Sequence, residues 1–140
     1  MATISSPSLL IETIPGSSTT VKLTVKYTLT PTAIEKLAGT VFSENIQLIG
    51  DDPGVAGDIV ITTFTGDAFA VSNATPTVSR TRTRNVSKSA MNEDSAFQTT
   101  GAETIDETFA RITLAYAASA PNPPTLPSPA STNIVTGAWK

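Results

Sequence analysis

The chain has 140 residues, of which 39% are hydrophobic and 15% are charged, and its formal net charge is −3. This length suits one domain. The low fraction of charged residues argues against a disordered polyelectrolyte. No window approaches the roughly 20 apolar residues of a spanning helix, which argues against a membrane protein. Cysteine and histidine are both absent. We therefore expect no disulfide, no thiolate chemistry and no Ser-His-Asp mechanism, and we predict a protein that is not an enzyme and binds no cofactor.

The N-terminal segment, residues 1–19, lacks the positively charged and apolar regions of a secretory signal peptide. We expect the protein to be made in the cytoplasm and then to join a particle such as a virion, or to be released by a non-classical route. Within this segment, SLLIETI predicts a weak first strand or an extended arm, which ends at Pro15 and Gly16.

Residues 20–30, TVKLTVKYTLT, form the clearest element of the sequence. Apolar side chains at odd positions alternate with lysine and threonine at even ones. This alternation predicts a strand with one face on a core and the other in water. Directly after it, Thr30 as the cap, Pro31 in the first turn and Gly39 as the stop predict a helix of one or two turns.

Four further segments have the composition and alternation of strands: 40–50, 57–66, 67–72 and 107–117. In the first of these, the apolar face consists of Phe42, Ile46 and Leu48. The density of β-branched residues in 57–66 predicts a central strand. For the last strand, the expected inner face consists of Ala110, Ile112, Leu114 and Tyr116.

About seven short strands, separated by turn-forming residues, predict an all-β protein. The expected fold is an antiparallel β-sandwich, immunoglobulin-like or jelly-roll-like, over residues 20–118. Residues 119–140 differ, because five prolines between Pro121 and Pro129 exclude a helix or a central strand. We expect an extended, Pro-rich C-terminal arm there, whose candidate contact residues are Ile134, Val135 and Trp139.

The segment 78–89, VSRTRTRNVSKS, contains four of the nine positive residues of the chain: Arg80, Arg82, Arg84 and Lys88. On a strand, the three arginines point to one side about 7 Å apart, and neither face is apolar, so we expect an edge strand. Three interpretations stay open: a charged edge that discourages aggregation, an ion-pair surface facing carboxylates within the chain or on another copy, and nucleic-acid binding. The negative net charge and the lack of aromatic residues between Val71 and Phe97 disfavour the last.

Acidic residues are concentrated in two other segments. The turn DDPGVAGD supplies weak calcium candidates, without the spacing of an EF-hand loop: Asp51, Asp52 and Asp58. The polar loop before the last strand, and the start of that strand, supply candidates for contacts with the arginines of another copy: Glu103, Asp106 and Glu107. Paired carboxylates can also hydrolyse glycosides, but aromatic residues that would stack a sugar are missing around them.

Two classes of function fit these features. The first is a non-enzymatic structural subunit of a larger, homo-oligomeric assembly, such as a virion decoration or tail component, an injection particle or a filament. Its terminal arms and charged surfaces would contact copies of itself or a scaffold protein, with no nucleic acid and no membrane insertion. The alternative is a monomeric, immunoglobulin-like module that binds calcium or another ligand through its acidic loops.

Overall fold

Alternating apolar and polar residues produce most of the regular structure. The computed structural model describes residues 2–50, 59–91, 106–117 and 128–137. These ranges contain nine strands: β1 (Thr3–Thr13), β2 (Thr20–Thr30), β3 (Val41–Gly50), β4 (Ile59–Thr63), β5 (Asp67–Ala70), β6 (Val78–Ser87), β7 (Asp106–Tyr116), β8 (Ala130–Ser131) and β9 (Val135–Gly137). They also contain two short helices, α1 (Ala33–Ala38) and α2 (Lys88–Met91). The predicted all-β class with antiparallel sheets is confirmed.

The first sheet has the order β1-β2-β6, and both of its pairings are antiparallel. The strongly alternating β2 lies at its centre, and its odd-numbered side chains are buried. Segment 8–14, predicted as a weak strand or arm, belongs to β1 up to Thr13, and β1 pairs with β2 along most of its length. The Arg-rich β6 lies at an edge in this order, as its polar faces predict.

The second sheet has the order β4-β3-β7-β8, with β5 also on β3 and β9 also on β7. The predicted central position of 57–66 is wrong, because within the described residues β4 pairs only with β3. Ile59 and Val60 are accordingly 52% and 49% exposed. A β-branched composition reports fit to a pleated surface, and an edge strand can satisfy it as well as a central one.

One hydrophobic cluster is built from both sheets. The first sheet contributes Leu9, Val21, Leu23, Val25, Tyr27, Leu29 and Val86. The second contributes Phe42, Ile46, Leu48, Ala110, Ile112 and Leu114. Each fully buried aliphatic side chain of this kind stabilises the folded state by about 1.5 to 3 kcal/mol. Within the described ranges, no helix is long and apolar enough to cross a membrane.

Helix α1 begins two residues later than the sequence predicts. Thr30 ends β2, and Thr32 is the cap: its hydroxyl accepts a hydrogen bond from the backbone N–H of Glu35, whose carboxylate accepts one from the N–H of Thr32. This reciprocal pair satisfies two backbone donors that would otherwise lack partners. Gly39 ends the helix, as predicted, with a left-handed φ of 62°.

Part of the Pro-rich C-terminal segment lies against the body of the same chain. Strands β8 and β9 pair with β7, and the backbones of Thr132 and Ala110 are joined by an N–H···O bond of 2.9 Å. The Asn133 amide bridges to β1: its Oδ1 accepts from the Leu9 N–H at 2.9 Å, and its Nδ2 donates to the Leu9 carbonyl at 3.3 Å. Residues 128–137 therefore connect the two sheets.

We predict that Asn133→Ala lowers the free energy of unfolding by about 1 to 2 kcal/mol, because the backbone N–H and carbonyl of Leu9 both lose a partner. Asn133→Asp keeps only the acceptor and should give an intermediate loss. Urea denaturation followed by circular dichroism measures both, with the exposed Thr136→Ala as the control. Equal midpoints for Asn133→Ala and Thr136→Ala would contradict the bridge.

Candidate functional site

A buried carboxylate interrupts the apolar face of β3. Glu44 lies between Phe42 and Ile46 on that face, and its side chain is 0% exposed. A carboxylate removed from water needs charged or hydrogen-bonding partners, since an isolated buried charge is strongly unfavourable. The partners of Glu44 come mainly from the opposite sheet.

Three side chains from the first sheet donate to Glu44. Arg80 donates through Nε to Oε2 at 3.1 Å and through Nη2 to Oε1 at 3.3 Å. Arg82 donates through Nη1 to Oε1 at 2.5 Å, and the Tyr27 hydroxyl donates to Oε2. Tyr27 and Arg80 are direct cross-strand neighbours on β2 and β6, so the pairing of these strands places both donors above one acceptor.

The second sheet completes the group through β5 and the residues before it. Asp67, the cross-strand neighbour of Glu44, accepts from Arg80 Nη2 at 2.7 Å and is 49% exposed. Arg82 also donates to the backbone carbonyl of Thr65 at 2.6 Å. The guanidinium carbon of Arg80 lies 4.4 Å from the ring centroid of Phe69, a cation–π contact.

We call Tyr27, Glu44, Asp67, Arg80 and Arg82 the inter-sheet ion cluster. Its two carboxylates and two guanidinium groups balance in charge. Burial, together with the adjacent Glu44 carboxylate, raises the pKa of Tyr27 well above its ordinary value, so this phenol stays protonated. The hydrogen bond from Arg80 lowers the pKa of Asp67.

Arg80 itself is held in its charged form. Burial alone would lower its pKa, but hydrogen bonds to Glu44 and Asp67 outweigh burial and raise the pKa above the ordinary value. Both oxygens of Glu44 accept hydrogen bonds from these donors, and the carboxylate is closed to solvent. The cluster therefore joins the two sheets, and its buried carboxylate, Glu44, is not accessible as an acid, base or nucleophile.

The other two basic candidates lie further along the same segment. Arg84 is half-buried, and its Nε is buried without a hydrogen-bond partner. It makes no ion pair with a described residue. Lys88 begins α2, and its backbone N–H bonds to the carbonyl of Thr19. The structure thus joins Arg80 and Arg82 in the cluster and leaves Arg84 and Lys88 outside it.

The acidic candidates are only partly described. The calcium candidates Asp51, Asp52 and Asp58 lie outside the described residues, as does Glu103. The backbones of Asp106 and Glu107 pair with Gly137 and Thr136 of β9. Among the residues that the structure describes, no group of three or more carboxylates is placed to hold a metal ion.

The candidates of the C-terminal arm differ in exposure. Val135 packs partly buried against the core, and its carbonyl accepts from the Thr108 hydroxyl at 3.2 Å. Ile134 is 51% exposed, and Trp139 lies outside the described residues. Of these three candidates, Ile134 is the one whose side chain the structure shows to be exposed.

Two buried carboxylates were not singled out from the sequence. Glu35, 1% exposed, caps α1 and accepts a hydrogen bond from the Tyr116 hydroxyl at 3.2 Å. Glu44 could have been noticed from its position, because it shares the period-two face of Phe42 and Ile46. The alternation that identified the strand also placed a charge on its buried side.

We predict that Glu44→Gln lowers the free energy of unfolding by roughly 3 kcal/mol, because two largely buried guanidinium groups lose their shared counterion. Asp67→Asn is the matched control, since it removes a carboxylate from the exposed side of the same cluster and should cost much less stability, because solvent screens an exposed ion pair. Chemical denaturation at pH 7 measures both. Equal losses would show that burial of Glu44 has no special role.

The raised pKa of Tyr27 predicts an alkaline loss of stability. Above pH 10, the ordinary value for tyrosine, the unfolded phenol releases its proton while the folded one keeps it, so stability falls as pH rises. Tyr27→Phe should be less stable at pH 7 by about 1 to 3 kcal/mol, since Glu44 loses a donor. Its stability should also decline less steeply above pH 10.

Urea denaturation at pH 7 to 11 measures this dependence for wild type and Tyr27→Phe. Tyr116→Phe is the control, because it removes a different tyrosine hydroxyl and leaves Tyr27 in place. The part of the alkaline loss of stability that Tyr27 causes should therefore remain in this variant. Parallel pH profiles for wild type and Tyr27→Phe would contradict the assignment.

Comparison with known proteins gives no relative from which a role could be transferred. The chain matches no protein-family model, no curated protein and no solved structure.

Proposed function

We propose that the protein is a non-enzymatic structural subunit of a larger assembly, which binds copies of itself through an apolar surface on α1. The observation that carries this proposal is the inverted pattern of the helix. Its buried residue is Glu35, whereas its large apolar residues Ile34 and Leu37 are 74% and 78% exposed. A helix that packs only on its own domain has the opposite arrangement.

The inversion has a local cause. The Glu35 carboxylate is held inward by the N–H of Thr32 and the hydroxyl of Tyr116, at 2.7 Å and 3.2 Å. Ile34 and Leu37 are three residues apart and so share one helical face, which these bonds turn outward. Two adjacent, exposed aliphatic side chains on a fixed helix suit contact with another molecule better than they suit water.

Other exposed apolar residues support a surface used for contacts. Leu10 is 53% exposed and Ile134 is 51% exposed. They directly follow Leu9 and Asn133, the two residues that are hydrogen-bonded to each other. Together with Ile59 and Val60 on β4, they place large aliphatic groups at the periphery of both sheets. These exposed residues, Ile134 of the C-terminal segment among them, are further candidates for contacts with other molecules.

The proposal includes a finer description of the fold. We infer that the two sheets form a β-sandwich, immunoglobulin-like or jelly-roll-like, and the hydrophobic cluster shared by both sheets supports this. A particle such as a virion component, an injection device or a filament is the kind of assembly in which such a subunit would work. The partners would be further copies or a scaffold protein, with no role for nucleic acid or membrane insertion.

We predict that the wild-type protein forms a defined oligomer whose mass persists at high salt, because an aliphatic interface is not screened by ions. The double substitution Ile34→Ser/Leu37→Ser should reduce the mass to that of one chain and leave the fold intact. Light scattering behind a sizing column measures the mass at low and high salt.

The matched control is Ala33→Ser/Ala38→Ser, which adds the same hydroxyls to exposed positions of the same helix and should keep the oligomer. A wild-type protein that stays a single chain at every concentration and salt would contradict self-assembly. That result would favour the monomeric binding module, and a rise in melting temperature on adding calcium would then test its acidic loops.

A further inference from the structure

The outer edge of β6 presents a regular row of backbone groups. The Lys88 N–H donates to the Thr19 carbonyl, and these two residues continue the register in which β2 pairs with β6. Lys88 is therefore a hydrogen-bonded position of this ladder. Hydrogen-bonded pairs alternate along an antiparallel ladder, so the even-numbered residues of β6 bond to β2. The N–H and carbonyl groups that point away from β2 therefore belong to Ser79, Thr81, Thr83 and Asn85.

The two edges of this sheet differ. At β1, the outward N–H and carbonyl of Leu9 are both satisfied by the Asn133 amide. At β6, no residue in the described ranges pairs with the outer edge, which is ten residues long. Such an edge is a template for another strand.

The inward side chains of β6 restrict which strand can be added. Arg80 and Arg82 are neutralised by Glu44 and Asp67, whereas Arg84 has no carboxylate partner among the described residues. Its Nε is buried without a hydrogen-bond partner. A buried donor without an acceptor is unfavourable, so a carboxylate supplied beside Arg84 would be bound strongly.

We propose that the edge of β6 accepts an extended segment of another protein chain, and that a carboxylate of this segment pairs with Arg84. In an antiparallel addition, Arg84 would occupy a non-hydrogen-bonded position, where opposite side chains are closest. The inference rests on the proposed role as an assembly subunit and adds the chemistry of one partner: a strand with an acidic residue on its inward face.

The same geometry disfavours pairing of β6 with the β6 strand of a second copy. Two β6 strands paired antiparallel around Arg82 would set that residue opposite its counterpart, and Arg80 opposite Arg84. Like charges directly opposite one another destabilise a sheet. The arginines thus discourage pairing of identical edges and favour an acidic partner.

The test uses a capped, fluorescein-labelled peptide of nine residues that alternates threonine and valine and carries one glutamate at an inward position. Its control has glutamine in place of glutamate. Fluorescence anisotropy with the full-length protein should show about tenfold tighter binding of the glutamate peptide, the ratio that 1.4 kcal/mol of differential binding produces. Amide hydrogen exchange at Thr81 and Thr83 should slow when the peptide binds.

Two variants and one control, Lys88→Gln, separate the parts of the proposal. Arg84→Gln should remove the preference for glutamate, while Lys88→Gln, with the same change of charge, should keep it. Thr83→Pro removes one outward N–H without touching the bonds to β2, and it should weaken both peptides equally. Equal binding of the two peptides by the wild type, or loss of the preference in Lys88→Gln, would overturn the proposal.

A stability measurement tests whether the chain itself supplies the missing carboxylate. Arg84→Met should leave the melting temperature unchanged or raise it, whereas Arg82→Met should lower it. An equal fall in both would place the partner of Arg84 within the same chain and overturn the proposal. Peptide binding is also measured on Ile34→Ser/Leu37→Ser, the variant expected to have the mass of one chain. Binding by this variant separates the present inference from the proposed self-association.

Discussion

The burial of the Glu44 carboxylate is the constraint that fixes how the two sheets face each other. Apolar contacts alone are non-directional, and many relative positions of two sheets would bury similar areas. Glu44 has donors only where Tyr27, Arg80 and Arg82 come together, and these donors lie on the other sheet. If β6 slipped by one residue along β2, its arginines would turn to the outer face and leave Glu44 buried without a counterion. The inter-sheet ion cluster thus fixes the register of β6 on β2 and the position of this sheet relative to β3.

Local pattern was sufficient to predict the strands with a clear alternation. The odd-numbered side chains of β2 and the inner face of β7, from Ala110 to Leu114, are buried as their period predicts. Local pattern failed for β4, since its β-branched residues do not distinguish a central strand from an edge. Strand order depends on contacts between distant segments, which no window of the sequence contains. The predicted helix began two residues too early, because Thr30 and Thr32 are both suitable caps. Only Thr32 has a glutamate three residues later, Glu35, whose carboxylate completes the capping box.

The candidate site was predicted in part. Alternation placed the three arginines of β6 on one side and led to carboxylates as one possible set of partners. The acidic residues that lie close together in the sequence are in the loops, and their proximity favoured the loops as the source of these carboxylates. The carboxylate that Arg80 and Arg82 share is instead a single glutamate, 36 and 38 residues away. Its presence among apolar neighbours was visible in the sequence, but its pairing with the arginines follows from the stacking of two sheets.

The bridge between Leu9 and Asn133 joins residues 124 positions apart. Contacts of such long range form late, because the entropy of closing the chain must be overcome first. During synthesis the first sheet can assemble once β6 has emerged, yet the second sheet lacks its last strands until residues 128–137 have been made. Until then, the outward backbone groups of Leu9 and the edge of β7 are open to other nascent chains. The order of translation therefore makes residues 128–137 the last segment needed to cover one edge of each sheet.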